Sequence, residues 1–154
     1  MRNMQDRALE IRRAVPTDCE EVRICIRKAY QHYKGKIVDL PPVDQGVEDE
    51  IERQGVWVAV ADSQIVACIF LVTKPDYIKV ANLAVDPDHQ GKGLARKMIR
   101  VAEERALSAS TPEMRLVTHA QMPENIRLYE HLGWEVVGLE SNSVSMKRNV
   151  PLKN

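Results

Sequence analysis

Short apolar runs alternate with amphipathic stretches along this chain, and the alternation predicts a mixed α/β fold. Helical spacing of apolar residues predicts helices from Thr17 through Tyr33, over 47–53, from the loop at 91–95 to Leu107, and over 123–132. Thr17 to Glu20 also fits a capping box at the start of the first helix. Apolar runs typical of strands lie at 8–13, 57–60, 65–72, 77–85, 114–118, 134–139 and 144–147. The chain has no internal repeat, so we expect one domain over residues 1–154.

The charge balance excludes several classes of protein. Lysine and arginine number 22, aspartate and glutamate also number 22, and the formal net charge is zero. A neutral chain lacks the basic surface typical of a nucleic-acid binder. No apolar run approaches the roughly 20 residues of a membrane span, and residues 1–9 lack the apolar stretch of a signal peptide. We therefore expect a cytoplasmic protein without nucleic-acid or membrane partners.

The cysteines and histidines give no support for a disulfide framework or a metal site. Cys19, Cys25 and Cys68 are odd in number and widely spaced. We expect them to be small buried or half-buried residues in a reducing compartment, not catalytic thiols. The four histidines are scattered, so we expect no bound metal.

A glycine loop, residues 91–95, follows an apolar strand and opens an amphipathic helix. Glycines let the main chain approach a ligand closely, and the free amides at the start of a helix bind phosphate. An ordinary strand-to-helix turn is the alternative interpretation of Gly91 and Gly93. The spacing matches neither the dinucleotide-binding fingerprint nor a P-loop.

Two motifs in order resemble those of the GNAT family of N-acetyltransferases. Gln90-x-x-Gly93-x-Ala95, after residues 83–87, resembles the family's acetyl-CoA signature Q/R-x-x-G-x-G/A, and residues 125–134 resemble its second motif, an N-x-x-x-Y helix followed by glycine and an aromatic residue. The resemblance implies an α/β GNAT fold. That fold has a central mixed, mostly antiparallel sheet of six to seven strands with a parallel splayed pair, flanked by about four helices.

The resemblance also implies acetyl-CoA as the co-substrate. Main-chain amides of residues 91–95 would hold the pyrophosphate, and pantetheine would lie along the strand edge near Leu83 and Val85, where unpaired strand groups can bind an amide-rich ligand. Ala95 stands where glycine is commoner in the family, and Cys68 stands where the preceding strand often has glycine. The implied cofactor-binding residues are Leu83, Ala84, Val85, Gln90, Gly91, Lys92, Gly93, Leu94, Ala95, Asn125 and Tyr129.

Direct attack of an amine on the thioester in a ternary complex needs alignment and no enzyme nucleophile. Tyr129 is the candidate general acid, because a phenol is protonated at neutral pH and can donate to a thiolate. Asn125 lies four residues earlier, on the same helix face. A packed aromatic side chain with a satisfied hydroxyl is the alternative interpretation of Tyr129.

The general base is less defined. No aspartate or glutamate occurs between Tyr77 and Val85, where relatives often have one; Asn82 stands there and can hold a water molecule or the substrate. His119 is the nearest titratable candidate, since histidine titrates near neutral pH. A surface or structural histidine is the competing interpretation.

The acceptor site is expected between Tyr30 and Asp49. Aromatic and acidic side chains there would suit a cationic amine, although a solvated loop would have the same composition. These side chains are Tyr30, His32, Tyr33, Asp39 and Asp44. The sequence therefore predicts an N-acetyltransferase that acts on a primary amine of a small molecule. A protein or peptide N-acetyltransferase and a non-catalytic acyl-CoA-binding module are the alternatives, and the resemblance leaves a homodimer open.

Overall fold

The structure is a computed structural model that describes residues 9–37 and 43–150. These residues form seven strands, four α-helices and three 3-10 turns. The strands and helices are β1 (Leu9–Arg13), α1 (Cys19–Tyr30), α2 (Val47–Glu52), β2 (Val56–Ala61), β3 (Gln64–Thr73), β4 (Ile78–Val85), α3 (Leu94–Ser108), β5 (Glu113–His119), α4 (Pro123–His131), β6 (Glu135–Glu140) and β7 (Ser143–Asn149). The 3-10 turns are Pro16–Asp18, Gln31–Tyr33 and Pro87–His89.

The strands form one mixed sheet in the order β1-β2-β3-β4-β5-β7-β6. Strands β4 and β5 are parallel and are joined by α3, as a parallel pair requires a crossover connection. Their pairing covers only Ile78 with Met114 and Lys79 with Arg115. The predicted fold class, with its parallel splayed pair, is therefore confirmed.

The described residues fall into two compact units. The first contains the chain up to Phe70 together with Asn82–Ile99. Its core lies between α1 and α2 on one side and β2 and β3 on the other, because Val22, Cys25 and Ile26 share one face of α1 and are buried with Val47 and Val58.

The second unit contains Leu71–Ala81 and the described residues from Arg100 onwards. Strand β7 lies between β5 and β6 and pairs antiparallel with both. Its inward side chains, Val144 and Met146, are buried with Met114 and Leu116 of β5, which is the alternation expected for a sheet with one covered face. No helix in the described part of the chain is long and apolar enough to cross a lipid bilayer.

Local geometry explains where the structure departs from the predicted boundaries. Helix α1 begins at Cys19 after a 3-10 turn, because the Asp18 carboxylate accepts a hydrogen bond from the Val15 amide at 2.8 Å and pairs with Arg12 at 2.8 Å. No capping bond from a side chain opens α1 among these residues, so the predicted capping box was wrong. Strand β6 begins at Glu135, after Trp134.

Candidate active site

The end of β4 is fixed by Asp86 before the glycine loop begins. The Asp86 amide donates to the Val66 carbonyl of β3 at 2.8 Å, and its carboxylate accepts from the Asp88 amide at 2.9 Å. Lys28 of α1 lies 3.6 Å from the same carboxylate. Asp86 is buried, so it anchors the 3-10 turn Pro87–His89 from which the loop departs.

The glycine loop has the backbone conformation that only glycine adopts without strain. Gly91 has φ of 81° and Gly93 has φ of 76°. A Cβ atom at either position would meet no atom within 4 Å. The loop therefore presents its main chain to open space.

The amides of the loop have no backbone acceptors in the described part of the chain. Gln90 donates to the Pro87 carbonyl at 3.4 Å, and the next amide to find a backbone acceptor is that of Lys97, which donates to Gly93 at 3.1 Å. The amides from Gly91 to Arg96 lie between them, at the positive end of the α3 dipole. Lys92 and Arg96 are exposed beside them. This arrangement fits a diphosphate.

The predicted cofactor-binding residues of the first unit fall into two groups. Gln90, Gly91, Lys92 and Gly93 are in the loop, whereas Leu94 and Ala95 form the first turn of α3. Leu83, Ala84 and Val85 end β4, where Ala84 is buried and its neighbours are half-buried. Beyond Lys79, no described residue pairs with β4 on the β5 side, so the strand's last residues have free main-chain groups on that side.

Asn82, predicted to hold a water molecule or the substrate, has both ends of its side-chain amide hydrogen-bonded within the chain. Its Nδ2 donates to the Val43 carbonyl at 3.0 Å, and its Oδ1 accepts from the Tyr30 hydroxyl at 3.1 Å. Burial raises the pKa of Tyr30 to about 12. Tyr30 is therefore a hydrogen-bond donor at neutral pH.

Asn125 and Tyr129 share one face of α4 in the second unit. Tyr129 is 7% exposed, and its ring meets that of Trp134 edge-on at 5.6 Å. The Asn125 amide lies 3.5 Å from the Met122 sulfur, and the Tyr129 carbonyl accepts from the Trp134 amide at 2.9 Å. The Tyr129 ring is therefore held in one orientation by packing.

His119 is the last residue of β5, and its ring is bonded to the backbone that follows the strand. Its Nδ1 accepts a hydrogen bond from the Gln121 amide at 3.0 Å. The lone pair of Nδ1 is therefore engaged within the chain.

The predicted acceptor side chains are partly engaged with one another. The rings of His32 and Tyr33 are tilted by 40° with centroids 3.8 Å apart, and the ring centroid of Tyr30 lies 6.4 Å from that of Tyr33. Arg27 donates to the Asp44 carboxylate at 2.8 Å, and this bond lowers the pKa of Asp44. Asp44 is thus an anion already paired within the chain. Asp39 lies outside the described residues.

The cysteines are as expected from the sequence. Cys25 and Cys68 are buried and Cys19 is half-buried, and all three are free thiols. The hydrogen bond with Cys25, together with burial, raises the pKa of Cys68 well above its usual value, so Cys68 stays protonated and unreactive. In the described ranges, 9–37 and 43–150, no three His, Cys, Asp or Glu side chains are grouped to hold a metal ion.

Two features of this site are missing from the expectations based on sequence. These are the bonds from Asn82 to Tyr30 and Val43, and the pairing of Asp86 with Lys28. An Asp-Pro pair directly after a strand is a turn-initiating signal that could have indicated the role of Asp86. The bonds of Asn82 have no local signal.

The sheet is mixed, and its parallel strands β4 and β5 pair over two residues each. Strand β4 then leads into a glycine loop whose amides have no backbone acceptors among the described residues. This combination is the one expected of an acyltransferase that uses coenzyme A. A family model for the acetyltransferase (GNAT) domain matches residues 52–136, more than half of the chain. The chain belongs to the GNAT family and is an acetyl-CoA-dependent N-acetyltransferase, as its motifs predicted. No curated protein sequence matches the chain significantly.

Solved structures with the same fold include several acetyltransferases. PaiA N-acetyltransferase from Thermoplasma acidophilum, in complex with coenzyme A, has a TM-score of 0.81 and 19% identity over 92% of this chain and 98% of that chain. Ard1 from Thermoplasma volcanium has a TM-score of 0.76 and 18% identity over 94% and 99%. The ribosomal-protein-S18-alanine N-acetyltransferase from Escherichia coli has a TM-score of 0.72 and 18% identity over 95% and 96%. At these identities the likeness establishes the fold.

Proposed function

We propose that this enzyme transfers the acetyl group of acetyl-CoA to a primary amine of a small molecule, by direct attack in a ternary complex. In this proposal, residues 1–154 act as one N-acetyltransferase domain in the cytoplasm. The main supporting observation is the glycine loop, whose amides from Gly91 to Arg96 have no backbone acceptors in the described chain. The coenzyme A bound by the Thermoplasma PaiA enzyme supports the same co-substrate here.

The first unit would hold the coenzyme mainly through its main chain. Bound acetyl-CoA supplies an activated acetyl thioester. Amides of residues 91–95 would bind the diphosphate, and the exposed side chain of Lys92 would add positive charge. The free edge of β4 at Leu83 and Val85 would pair with the amide groups of the pantetheine arm.

The second unit would supply the proton. Tyr129 would donate the proton of its phenol, a group that is protonated at neutral pH, to the departing thiolate, with Asn125 on the same face of α4 as a coenzyme contact. The edge-on contact with Trp134 supports this role, since a ring fixed by packing keeps its hydroxyl in one direction.

His119 is the proposed base, at the cost of the hydrogen bond from Gln121 to its Nδ1. Asn82 would contribute by orientation, because an amide cannot accept a proton at neutral pH and both of its ends are bonded to Tyr30 and Val43.

The acceptor is proposed to be a small cationic amine. Asp44 is already paired with Arg27, so recognition of the cation would rest on aromatic side chains. Of these, His32 is exposed, Tyr30 is half-buried and Tyr33 is buried. The likeness to the S18-alanine N-acetyltransferase keeps a protein N-terminus as the second candidate.

The test is thiol release from acetyl-CoA with polyamines, amino acids, aminoglycosides and peptides as acceptors. We expect turnover with a small amine and little with peptides. Turnover confined to peptides would replace the small-molecule acceptor with a protein. Absence of thiol release with every acceptor of the panel would refute the proposed small-amine acceptor.

The role of Tyr129 is tested by Tyr129→Phe, with Tyr77→Phe as the matched control. The Tyr77→Phe variant also removes one hydroxyl, but from a ring outside the proposed catalytic site. The centroid of that ring lies 4.0 Å from the guanidinium carbon of Arg115. We expect Tyr129→Phe to lower kcat by about 10²- to 10⁴-fold while the affinity for coenzyme A stays close to that of the wild type. An unchanged kcat would remove Tyr129 from the mechanism.

A homodimer through the terminal hairpin stays a prediction. Strand β6 ends the strand order, and Val136, Val137 and Leu139 on it are exposed. Unpaired edges of this kind favour association. Sedimentation equilibrium measures the state directly, and a monomer at all concentrations would exclude it.

A further inference from the structure

The side chain of Asn82 connects three segments of the first unit. Asn82 lies on β4, Tyr30 is the last residue of α1, and Val43 opens the described segment that leads into α2. The Tyr30 hydroxyl donates to Asn82 Oδ1 at 3.1 Å, and Asn82 Nδ2 donates to the Val43 carbonyl at 3.0 Å. The two bonds form a hydrogen-bonded chain from the hydroxyl of Tyr30 to the backbone of Val43, and this chain is called the relay below.

The Tyr30 hydroxyl holds the backbone in place and does not transfer protons. Burial raises the pKa of Tyr30 to about 12, so the hydroxyl keeps its proton and donates it to Asn82 throughout the neutral range. A group that stays protonated cannot serve as a general base. Both bonds are partly buried, and a polar group that loses its partner in such a place is costly.

Two ion pairs connect α1 to this part of the chain, one to the segment before α2 and one to α2 itself. Arg27 binds Asp44 at 2.8 Å, and Arg23 binds Glu48. Side chains of both pairs reach solvent, and exposed pairs contribute little to stability. The bonds of Asn82 are therefore the stronger constraint on the segment from Val43 to Gly46.

We propose that Tyr30 is a positioning residue that fixes the segment from Val43 to Gly46 through Asn82, and so sets the affinity for the amine without setting the affinity for coenzyme A. The inference rests on the proposed function, in which the acceptor binds between Tyr30 and Asp49. Coenzyme binding is separate because the proposed coenzyme site uses main-chain amides of residues 91–95, and within the described residues no hydrogen bond joins these amides to Tyr30 or Val43.

The kinetic test compares Tyr30→Phe with wild type, using the acceptor with the highest turnover in the amine panel. Loss of one net hydrogen bond should raise the acceptor KM by about 2- to 10-fold, with the KM for acetyl-CoA and the shape of the pH–rate profile unchanged. Tyr77→Phe, which removes a hydroxyl from the second unit, should change none of these. An equal rise in the KM for acetyl-CoA, or a lost limb of the profile, would overturn the proposal.

A double-mutant cycle tests whether Tyr30 acts through Asn82. In an Asn82→Ala background, adding Tyr30→Phe should leave the acceptor KM where Asn82→Ala alone puts it, because the relay is already broken. Fully additive effects of the two substitutions would show that Tyr30 acts independently and would overturn the relay.

Hydrogen exchange tests the relay without any acceptor. The Glu50 amide donates to Gly46 at 3.1 Å and the Lys97 amide donates to Gly93 at 3.1 Å. Tyr30→Phe should accelerate exchange at Glu50 and leave Lys97 unchanged. Equal protection at Glu50 in the two proteins would refute the positioning role. If the wild type acetylates no amine, the proposed function fails while this measurement still decides the inference.

Discussion

Two glycines with similar backbone conformation, one inside the glycine loop and one outside it, distinguish the effect of backbone strain from the effect on ligand binding. Gly93 has φ of 76°, and a Cβ there would meet nothing within 4 Å. Gly35 has φ of 80° with nothing within 4 Å and lies outside the loop. Alanine at either position therefore adds no clash, and each pays only the penalty of the left-handed backbone, about 1–2 kcal/mol.

The two variants should differ in coenzyme binding. Equal strain predicts equal losses of thermal stability, about 2–8 °C for a chain of this size. In Gly93→Ala, relief of the strain would turn the adjacent amides away, and the new methyl group would stand where the diphosphate is expected. Loss of one hydrogen bond to a charged group costs about 1.5–3 kcal/mol, which corresponds to about 10- to 150-fold weaker binding.

The assay is calorimetric titration of coenzyme A into the wild type, Gly93→Ala and Gly35→Ala, with thermal unfolding of all three. We expect similar melting temperatures for the two variants and weak binding for Gly93→Ala alone. A folded Gly93→Ala variant that binds coenzyme A as tightly as Gly35→Ala does would refute diphosphate binding by the loop amides.

Two further predictions concern proton binding. His119→Gln should remove the acidic limb of the pH–rate profile if His119 is the base, and an unshifted limb would exclude that role. Asp18→Asn should destabilise the protein at pH 7 by about 1–2 kcal/mol, because hydrogen bonds from Arg12 and from the Val15 amide lower the pKa of Asp18. A lowered native pKa gives stability that is present above about pH 4 and is lost as the pH falls through the native value, so in urea titrations the difference should shrink in acid. The control is Asp76→Asn, at an exposed position, which should leave the free energy of unfolding unchanged both at pH 7 and in acid.

The elements that a local pattern encodes were predictable from the sequence. The turn at Asp62 and Ser63 has φ of 50° and 65°, the conformation that favours such residues in a tight hairpin, so β2 and β3 lie where the apolar runs placed them. The loop at Gly91 and Gly93 is equally local. The boundary at His119 was missed by one residue because β5 continues while it pairs with Ser143 of β7, and that partner is distant in sequence.

The contacts that shape the acceptor side could not be predicted in this way. Asn82 bonds to Tyr30 across 52 positions and to Val43 across 39. Nothing within a helical or strand period of Asn82 indicates which groups its amide meets, because those partners are set by how β4 packs beside α1. The same holds for the pairing of Asp86 with Lys28.

The loop was predictable and the contacts of Asn82 were not, and the reason is the kind of atom that each proposed site uses. In the proposed coenzyme site, the binding groups are main-chain amides, so positive φ at two glycines and a helix start are sufficient, and many side chains can surround them. In the proposed acceptor site, the binding groups are side chains whose positions would depend on long-range bonds such as those of Asn82. Substitutions in α1 or in the segment before α2 should therefore change the choice of amine while coenzyme binding persists. Under this proposal, the motifs at 90–95 and 125–134 identify the co-substrate and the reaction, whereas the amine has to be found by assay.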